Sequence, residues 1–249
     1  MSLVKISHYC PNDITWLAPG AGDSNINGHT DIWRVNISDN LSYLDRFSTL
    51  INTAETARAN RYLQAHDRHR FIISRAALRI ILAVYLNEQA ALIEFEIGVN
   101  KKPFLKNAAL HYNVSHAGDW IIIAVANTPV GVDVERIDPS FDYKDIIIEY
   151  FNKEEVKYIT GADDHSRFFL LWTRKEALTK ATGKGLDDDL KLVPALNGEH
   201  SVNPDLLKST SDWQVNSFEL YNGYLATFAT AEIAGQPRFR DADLSKNSL

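Results

Sequence analysis

Asn52-Thr-Ala-Glu55 and Asn152-Lys-Glu-Glu155 are one helix-start signal written twice, at an offset of 152 − 52 = 100 residues. An Asn at the cap and a Glu at the third helical position satisfy each other's free backbone amides, so each tetrapeptide predicts the start of a helix. The same offset relates Arg75, Ala77 and Leu78 to Lys175, Ala177 and Leu178. Strand-like sequence follows each helical stretch, and the turn His116-Ala-Gly118-Asp-Trp120 has a counterpart in Tyr221-Asn-Gly223-Tyr224. We read an internal duplication: two similar α+β halves in one chain, a pseudo-dimer in which each small, largely antiparallel sheet packs on a long helix. The division is placed at 1–127 and 128–249. A repeat this long is not a solenoid, and the cleft between two packed halves is the natural ligand site.

Working outward, helical sequence runs from Asn52 through Leu86 with a break expected near Asp67; Phe71, Leu78, Leu82 and Tyr85 fall at core-facing spacing. Upstream, a Gly-, Asn- and Asp-rich stretch leads to one short strand, Asp31 to Ile37. Strands are expected at Ile93 to Val99, Phe104-Leu105, His111 to Ser115, Trp120 to Ala126 and Gly131 to Glu135. The unbroken IIIAVA of residues 121–126 predicts a strand buried on both faces. A second helix, from Arg167 to Thr182, stops at Gly183. Trp213 to Tyr221 and Tyr224 to Ile233 form a hairpin through Asn222-Gly223, a pair suited to a type I′ turn, and the polar tail after Gly235 is expected to be loose.

The chain has 249 residues, 45% hydrophobic and 23% charged, which excludes a disordered or collagen-like chain. A single cysteine, Cys10, excludes an internal disulfide and suits a reducing compartment. No apolar run approaches the roughly 20 residues of a membrane helix, and Lys5 and His8 interrupt any signal-like start, so a cytoplasmic protein is expected. The formal charge of −6 argues against general nucleic-acid binding. Against that average, Arg58, Arg61, Arg68, Arg70, Arg75 and Arg79 crowd one stretch with Asp67 as its only acid, enough for a compact anion or for the wet side of a helix.

Asp133 and Glu135 lie two apart in a strand and so share a face, while Val132 and Val134 go to the core. Such a pair is ordinarily a solvated face; on a rigid strand it is also an oxygen-ligand set suited to Mg²⁺. Trp172, Glu176 and Lys180 form one helical stripe. Glu before Lys at this spacing is ordinarily a surface ion pair, but the Trp one turn earlier turns the stripe inward. Ser115 and His116 end a strand, and Lys101-Lys102-Pro103 marks a turn. A P-loop, a G-x-G-x-x-G, an H-E-x-x-H and a G-x-S-x-G are all missing from the sequence.

In this order, NVSH at 113–116, GVDVE at 131–135 and WTRKEALTK at 172–180 followed by GKGL resemble the 4′-phosphopantetheinyl transferases of the long, surfactin-synthetase-activating type. The resemblance spans about Glu55 to Leu186. It implies attack by a serine of an apo acyl or peptidyl carrier protein on the β-phosphate of coenzyme A, releasing adenosine 3′,5′-bisphosphate. It further implies that Asp133, Glu135 and Glu176 bind Mg²⁺, that Glu176 is the base directly or through a metal-bound water, and that Lys180 stabilises the leaving phosphate. Lys175, Ser115 and His116 match phosphate contacts, and Lys102-Pro103 matches the turn beside the nucleotide. Lys101 departs from the family's glycine, and Arg58, Arg61, Arg70 and Arg75 stand where relatives use lysines for the 3′-phosphate. Two halves in one chain imply a monomer. The alternatives are a non-catalytic coenzyme A or carrier-protein binding module and a metal-dependent nucleotide pyrophosphate hydrolase.

Overall fold

The structure is a computed structural model that describes residues 1–249 except 19–24, 27, 99–101, 107–109, 162–164, 186–187, 232–234 and 246–249. The first half holds β1 (Ser2–His8), β2 (Trp16–Leu17), β3 (Thr30–Asn36), α1 (Leu44–Ser48), α2 (Thr53–Ala59), α3 (Ala65–Leu86), β4 (Phe95–Ile97), β5 (Pro103–Leu105), β6 (His111–Ala117) and β7 (Trp120–Ala126). The second holds β8 (Val130–Arg136), α4 (Lys144–Tyr150), α5 (Lys153–Thr160), α6 (Ser166–Thr182), β9 (Gly198–Val202), α7 (Pro204–Leu207), β10 (Trp213–Tyr221), β11 (Tyr224–Ala231) and β12 (Arg238–Asp241). One sheet runs β2-β12-β3-β7-β6, the other β8-β11-β10-β1-β9, and β4 and β5 form a separate ribbon.

The duplication is visible in register as well as in order. β3 pairs antiparallel with β7, placing Ile32 opposite Ala124; β8 pairs antiparallel with β11, placing Val132 opposite Phe228. Both capping boxes form: Asn52 Oδ1 accepts the Glu55 amide at 2.9 Å, and Asn152 Oδ1 accepts that of Glu155 at 3.0 Å. The expected single break in the first helix falls earlier than Asp67, between Ala59 and Ala65.

Strand alternation then builds the layers. Trp33, Val35, Ile121, Ile123 and Val125 pack on α3 residues Ile73, Ala77 and Ile80. The opposite face of that sheet, Ile32, Ile122 and Ala124, meets Val132, Val134, Phe218 and Phe228 of the second sheet. Ala177, Leu178 and Ala181 of α6 cover the outer face of the second sheet with Val215 and Ala229. Two sheets therefore sit face to face between α3 and α6, and residues 121–126 are buried on both faces as their sequence predicts.

The chain ends cross the expected division at 127/128. β1 pairs parallel with β10 in the second half's sheet, and β12 pairs parallel with β3 in the first. The tail expected to be loose is thus partly a strand. Phe239 faces the core between the sheets, and on the opposite face the side chains are charges: Arg238 Nε donates to Asp31 Oδ1 at 2.6 Å, and Arg240 Nε lies 2.8 Å from Asp31 Oδ2, on a carboxylate with no exposure. With a single apolar residue between two arginines the strand shows little apolar alternation, and the acid that the arginines meet is 207 residues away.

Candidate active site

The sheet edges left open by the pairing order, β6 and β8, meet where the halves join. Asn113 and Ser115 both reach toward β8: Asn113 Oδ1 accepts the Val132 amide at 2.9 Å, and the Ser115 hydroxyl donates to Asp133 Oδ1 at 2.8 Å. Because Val132 and Val134 turn into the core between the sheets, Asp133 and Glu135 turn the other way, toward α6. Asn113 was not singled out from sequence; the N-x-S spacing, which puts it beside Ser115 on one strand face, is the signal that finds it.

Gly131 sets how closely α6 approaches. A Cβ there would lie 2.2 Å from the Ala177 carbonyl oxygen and 2.3 Å from the Ala181 amide nitrogen. Helix and strand are therefore in backbone contact, which brings Glu176 and Lys180 of the stripe to Asp133, while Trp172 packs on Tyr150, Phe151 and Phe168. Lys180 Nζ sits 2.6 Å from Asp133 Oδ1, 3.3 Å from Ser115 Oγ and 3.6 Å from Glu176 Oε2. Val114, Ser115, His116, Asp133, Glu135, Glu176 and Lys180 line an open cavity of about 340 Å³.

Three acids in one small cavity repel one another. Burial pushes the Glu135 carboxyl up to about 7, with the Asp133 charge next in weight and Lys180 opposing both. Glu176 is also raised, chiefly by burial. Burial works against the charge of Lys180, but Asp133 and Glu176 outweigh it and hold the ammonium above its ordinary value. Desolvation and then the Arg70 charge lower the imidazole of His116. Asp133 Oδ2 is buried without a hydrogen-bond partner. Among the described residues, no three acidic, His or Cys side chains already converge as a chelate; the Lys180 ammonium lies among the carboxylates instead. The donor chemistry, hard oxygens with one valence unsatisfied and an excess of negative charge, fits a small divalent cation.

One expected phosphate contact, Lys175, is corrected. Lys175 has no exposure: its Nζ lies 3.0 Å from Glu155 Oε2 and donates to the carbonyls of Leu190 at 3.0 Å and Val193 at 2.5 Å. An ammonium has three donors, and all are used. Arg75 donates through Nε to Glu55 Oε1 at 2.5 Å, and Arg79 lies 2.8 Å from Glu55 Oε2. In each half the glutamate of the capping box thus anchors a cation of the long helix, a structural device that the duplication carried into both copies. Glu155→Ala is expected to cost about 3–5 kcal/mol by stranding the Lys175 charge, read as the urea unfolding free energy.

Of the remaining arginines, Arg58 and Arg61 are exposed, with Arg58 5.0 Å over the ring of Phe71, while Arg70 is half-buried and paired with Asp67. Pro103 opens β5, and the side chain of Lys102 turns inward to α6. A larger hollow of about 470 Å³ beside Asn152, Pro194 and His200 holds one buried acid, Glu155, already bound to Asn152, Lys175 and the Ala195 amide.

Residues 129–229 match the family model of the 4′-phosphopantetheinyl transferase superfamily, and residues 31–128 match that of the 4′-phosphopantetheinyl transferase N-terminal region. The chain is 28% identical over 233 residues to the 4′-phosphopantetheinyl transferase HetI of Nostoc sp., covering 90% of this chain and 97% of the relative. It is 32% identical over 180 residues to a putative 4′-phosphopantetheinyl transferase of Synechocystis sp., covering 69% and 73%. With the 4′-phosphopantetheinyl transferase Sfp of Bacillus subtilis it shares 26% identity over 185 residues, covering 72% and 82%. Both halves of the duplicated fold, with the acids of β8 and the Glu-Lys stripe of α6 inside the matched region, place the chain in the 4′-phosphopantetheinyl transferase family of the Sfp type.

Proposed function

We propose that this protein transfers 4′-phosphopantetheine from coenzyme A to a serine of an apo acyl or peptidyl carrier protein, with Mg²⁺ as cofactor. The observation that carries the reading is the single cavity in which Asp133, Glu135, Glu176, Lys180, Ser115 and His116 converge from both halves. Asp133, Glu135 and Glu176 would hold the cation, the orphaned Asp133 Oδ2 supplying a ready ligand. When bound, Mg²⁺ neutralises pyrophosphate charge and makes the phosphorus more electrophilic.

The serine oxygen forms the new bond to the β-phosphorus, and the bond from that phosphorus to the bridging oxygen breaks. Adenosine 3′,5′-bisphosphate leaves with the bridging oxygen. Glu176, four residues before Lys180 on the same helical stripe, takes the serine proton. Lys180, held cationic by Asp133 and Glu176, meets the charge that develops on the departing phosphate. His116 at the rim, with the positive charge of Arg70 near it, supports binding of the coenzyme's phosphates there. Arg58 and Arg61, exposed on the same stretch, remain the choices for the 3′-phosphate. Because one chain supplies both sides of the cavity, we read the active form as a monomer. Among the described residues, no helix is long and apolar enough to cross a membrane, and we read the protein as cytoplasmic.

The test is the intact mass of an apo carrier protein incubated with this protein, coenzyme A and Mg²⁺. A gain of one phosphopantetheine that vanishes with EDTA and with Glu176→Ala is expected. No gain over several unrelated carriers overturns the reading in favour of a binding module; breakdown of coenzyme A without labelling points to a hydrolase. Lys180→Ala is expected to lower kcat by about 10²–10³-fold and to change KM for coenzyme A far less, because its charge matters most as the bond breaks. Steady-state kinetics check this, and a loss confined to KM would contradict it.

A further inference from the structure

The β4–β5 ribbon belongs to the first half, yet one of its side chains ends inside the second. Lys102 Nζ donates to the Lys180 carbonyl at 2.6 Å, the Ala181 carbonyl at 3.1 Å and the Val130 carbonyl at 3.3 Å. The first two are among the last carbonyls of α6, which have no intrahelical amide to accept from. Thr179, one residue earlier, receives the Thr182 hydroxyl at 3.2 Å. Gly183 follows with φ 71°, so the helix ends at this turn. The third carbonyl opens β8, three residues before Asp133.

We propose that Lys102 is a positioning residue for the transfer reaction: it caps α6 across the joint between the halves and fixes the turn carrying Lys180 against the start of β8. A cation at a helix C-terminus meets the negative end of the helix dipole, which adds to the three hydrogen bonds. The ammonium has three donors and uses all three on backbone, so none is left for a phosphate. Burial lowers the Lys102 pKa to about 8, as expected for a cation held by dipoles rather than by a carboxylate. Its charge reaches one nearby titratable ring, His111, which it helps to keep neutral. Lys180 donates through a side chain whose own backbone carbonyl Lys102 holds, so slack at the helix end becomes misplacement of Nζ.

This role rests on the transferase reading, and two readouts keep the two apart. The first is amide hydrogen exchange of wild type and Lys102→Met, which needs no substrate. Amides in the last turn of α6 are expected to exchange on the order of tenfold faster in the variant, with α3 unaffected. The second is kinetics with coenzyme A and a carrier protein: kcat is expected to fall on the order of 100-fold, with KM for coenzyme A within about twofold of wild type. Lys102→Gln, whose amide keeps two donors, is expected to fall between in both readouts and serves if the Met variant does not fold. A raised KM with kcat intact would make Lys102 a nucleotide ligand and overturn the proposal. Unchanged exchange at the end of α6 in both variants would overturn it too. Should wild type label no carrier protein, the transferase reading fails while the exchange experiment still decides whether Lys102 is the cap.

Discussion

Asp133→Ala is expected to lower phosphopantetheine transfer by on the order of 10³-fold or more while the protein still folds. Asp133 joins the two halves of the site: its Oδ1 takes the Ser115 hydroxyl and the Lys180 ammonium, and its Oδ2 is buried without a partner. Without it the proposed metal set loses a ligand, and Lys180 swings toward Glu176, the intended base. Folding survives because Lys180 keeps Glu176 at 3.6 Å and is partly exposed, so its charge is not stranded. Asp133→Asn, which preserves shape and the Ser115 contact, is expected to lose nearly as much rate, separating charge from packing. Single-turnover labelling measures both variants; a rate near wild type in either one removes Asp133 from the machinery.

Gly131→Ala is expected to destabilise the protein by about 3 kcal/mol or more, lowering Tm by about 6–12 °C. The added methyl meets the backbone of α6 at Ala177 and Ala181, and neither atom is the end of a side chain that could rotate away. Relief requires the helix to lift from β8, which separates Glu176 and Lys180 from Asp133 at the same time. Activity at temperatures below the new Tm should therefore fall as well, a coupling that an ordinary core substitution does not show. Thermal denaturation with a labelling assay at low temperature checks it. A variant that melts within a degree or two of wild type would mean that the close approach is not required.

The central architecture was legible because it rests on local signals. The Asn-x-x-Glu boxes, the IIIAVA run and the Asn222-Gly223 turn each depend on neighbours in sequence, and each lies where expected, although the turn has Gly223 at φ 76° and Asn222 at negative φ and so is not the type I′ turn that the pair suggested. The acids and the Glu-Lys stripe were legible for the same reason: two-residue and four-residue spacings state which side chains share a face. Lys175 was misread because its partner, Glu155, lies 20 residues away and satisfies it inside the protein. Sequence marks a cation in a motif but not which way it turns from a helix. β1 was missed although Val4 and Ile6 alternate inward as a strand's should, and β12 because its one apolar residue, Phe239, stands between arginines that read as solvent-facing.

The duplication also explains why there is one such site and not two. At the same offset, Asp133, Glu135, Glu176 and Lys180 correspond to Trp33, Val35, Ala76 and Ile80, all apolar. Those four pack in the core between α3 and its sheet, so the first half's equivalent positions are packing residues, while its edge strand β6 supplies Ser115 and His116 to the site of the second.

The exchanged terminal strands give the molecule the logic of a clasp. Neither half can finish its sheet from its own sequence, since the first needs the last strand and the second needs the first. The clasp on one side is closed by Asp31 with Arg238 and Arg240, a lock of charge inside an otherwise apolar layer. A cavity built on the joint between two freely hinged lobes would open and close as they rock; here the joint is sewn from both ends of the chain. The exchanged strands oppose such rocking, which keeps the two walls of the site at one spacing.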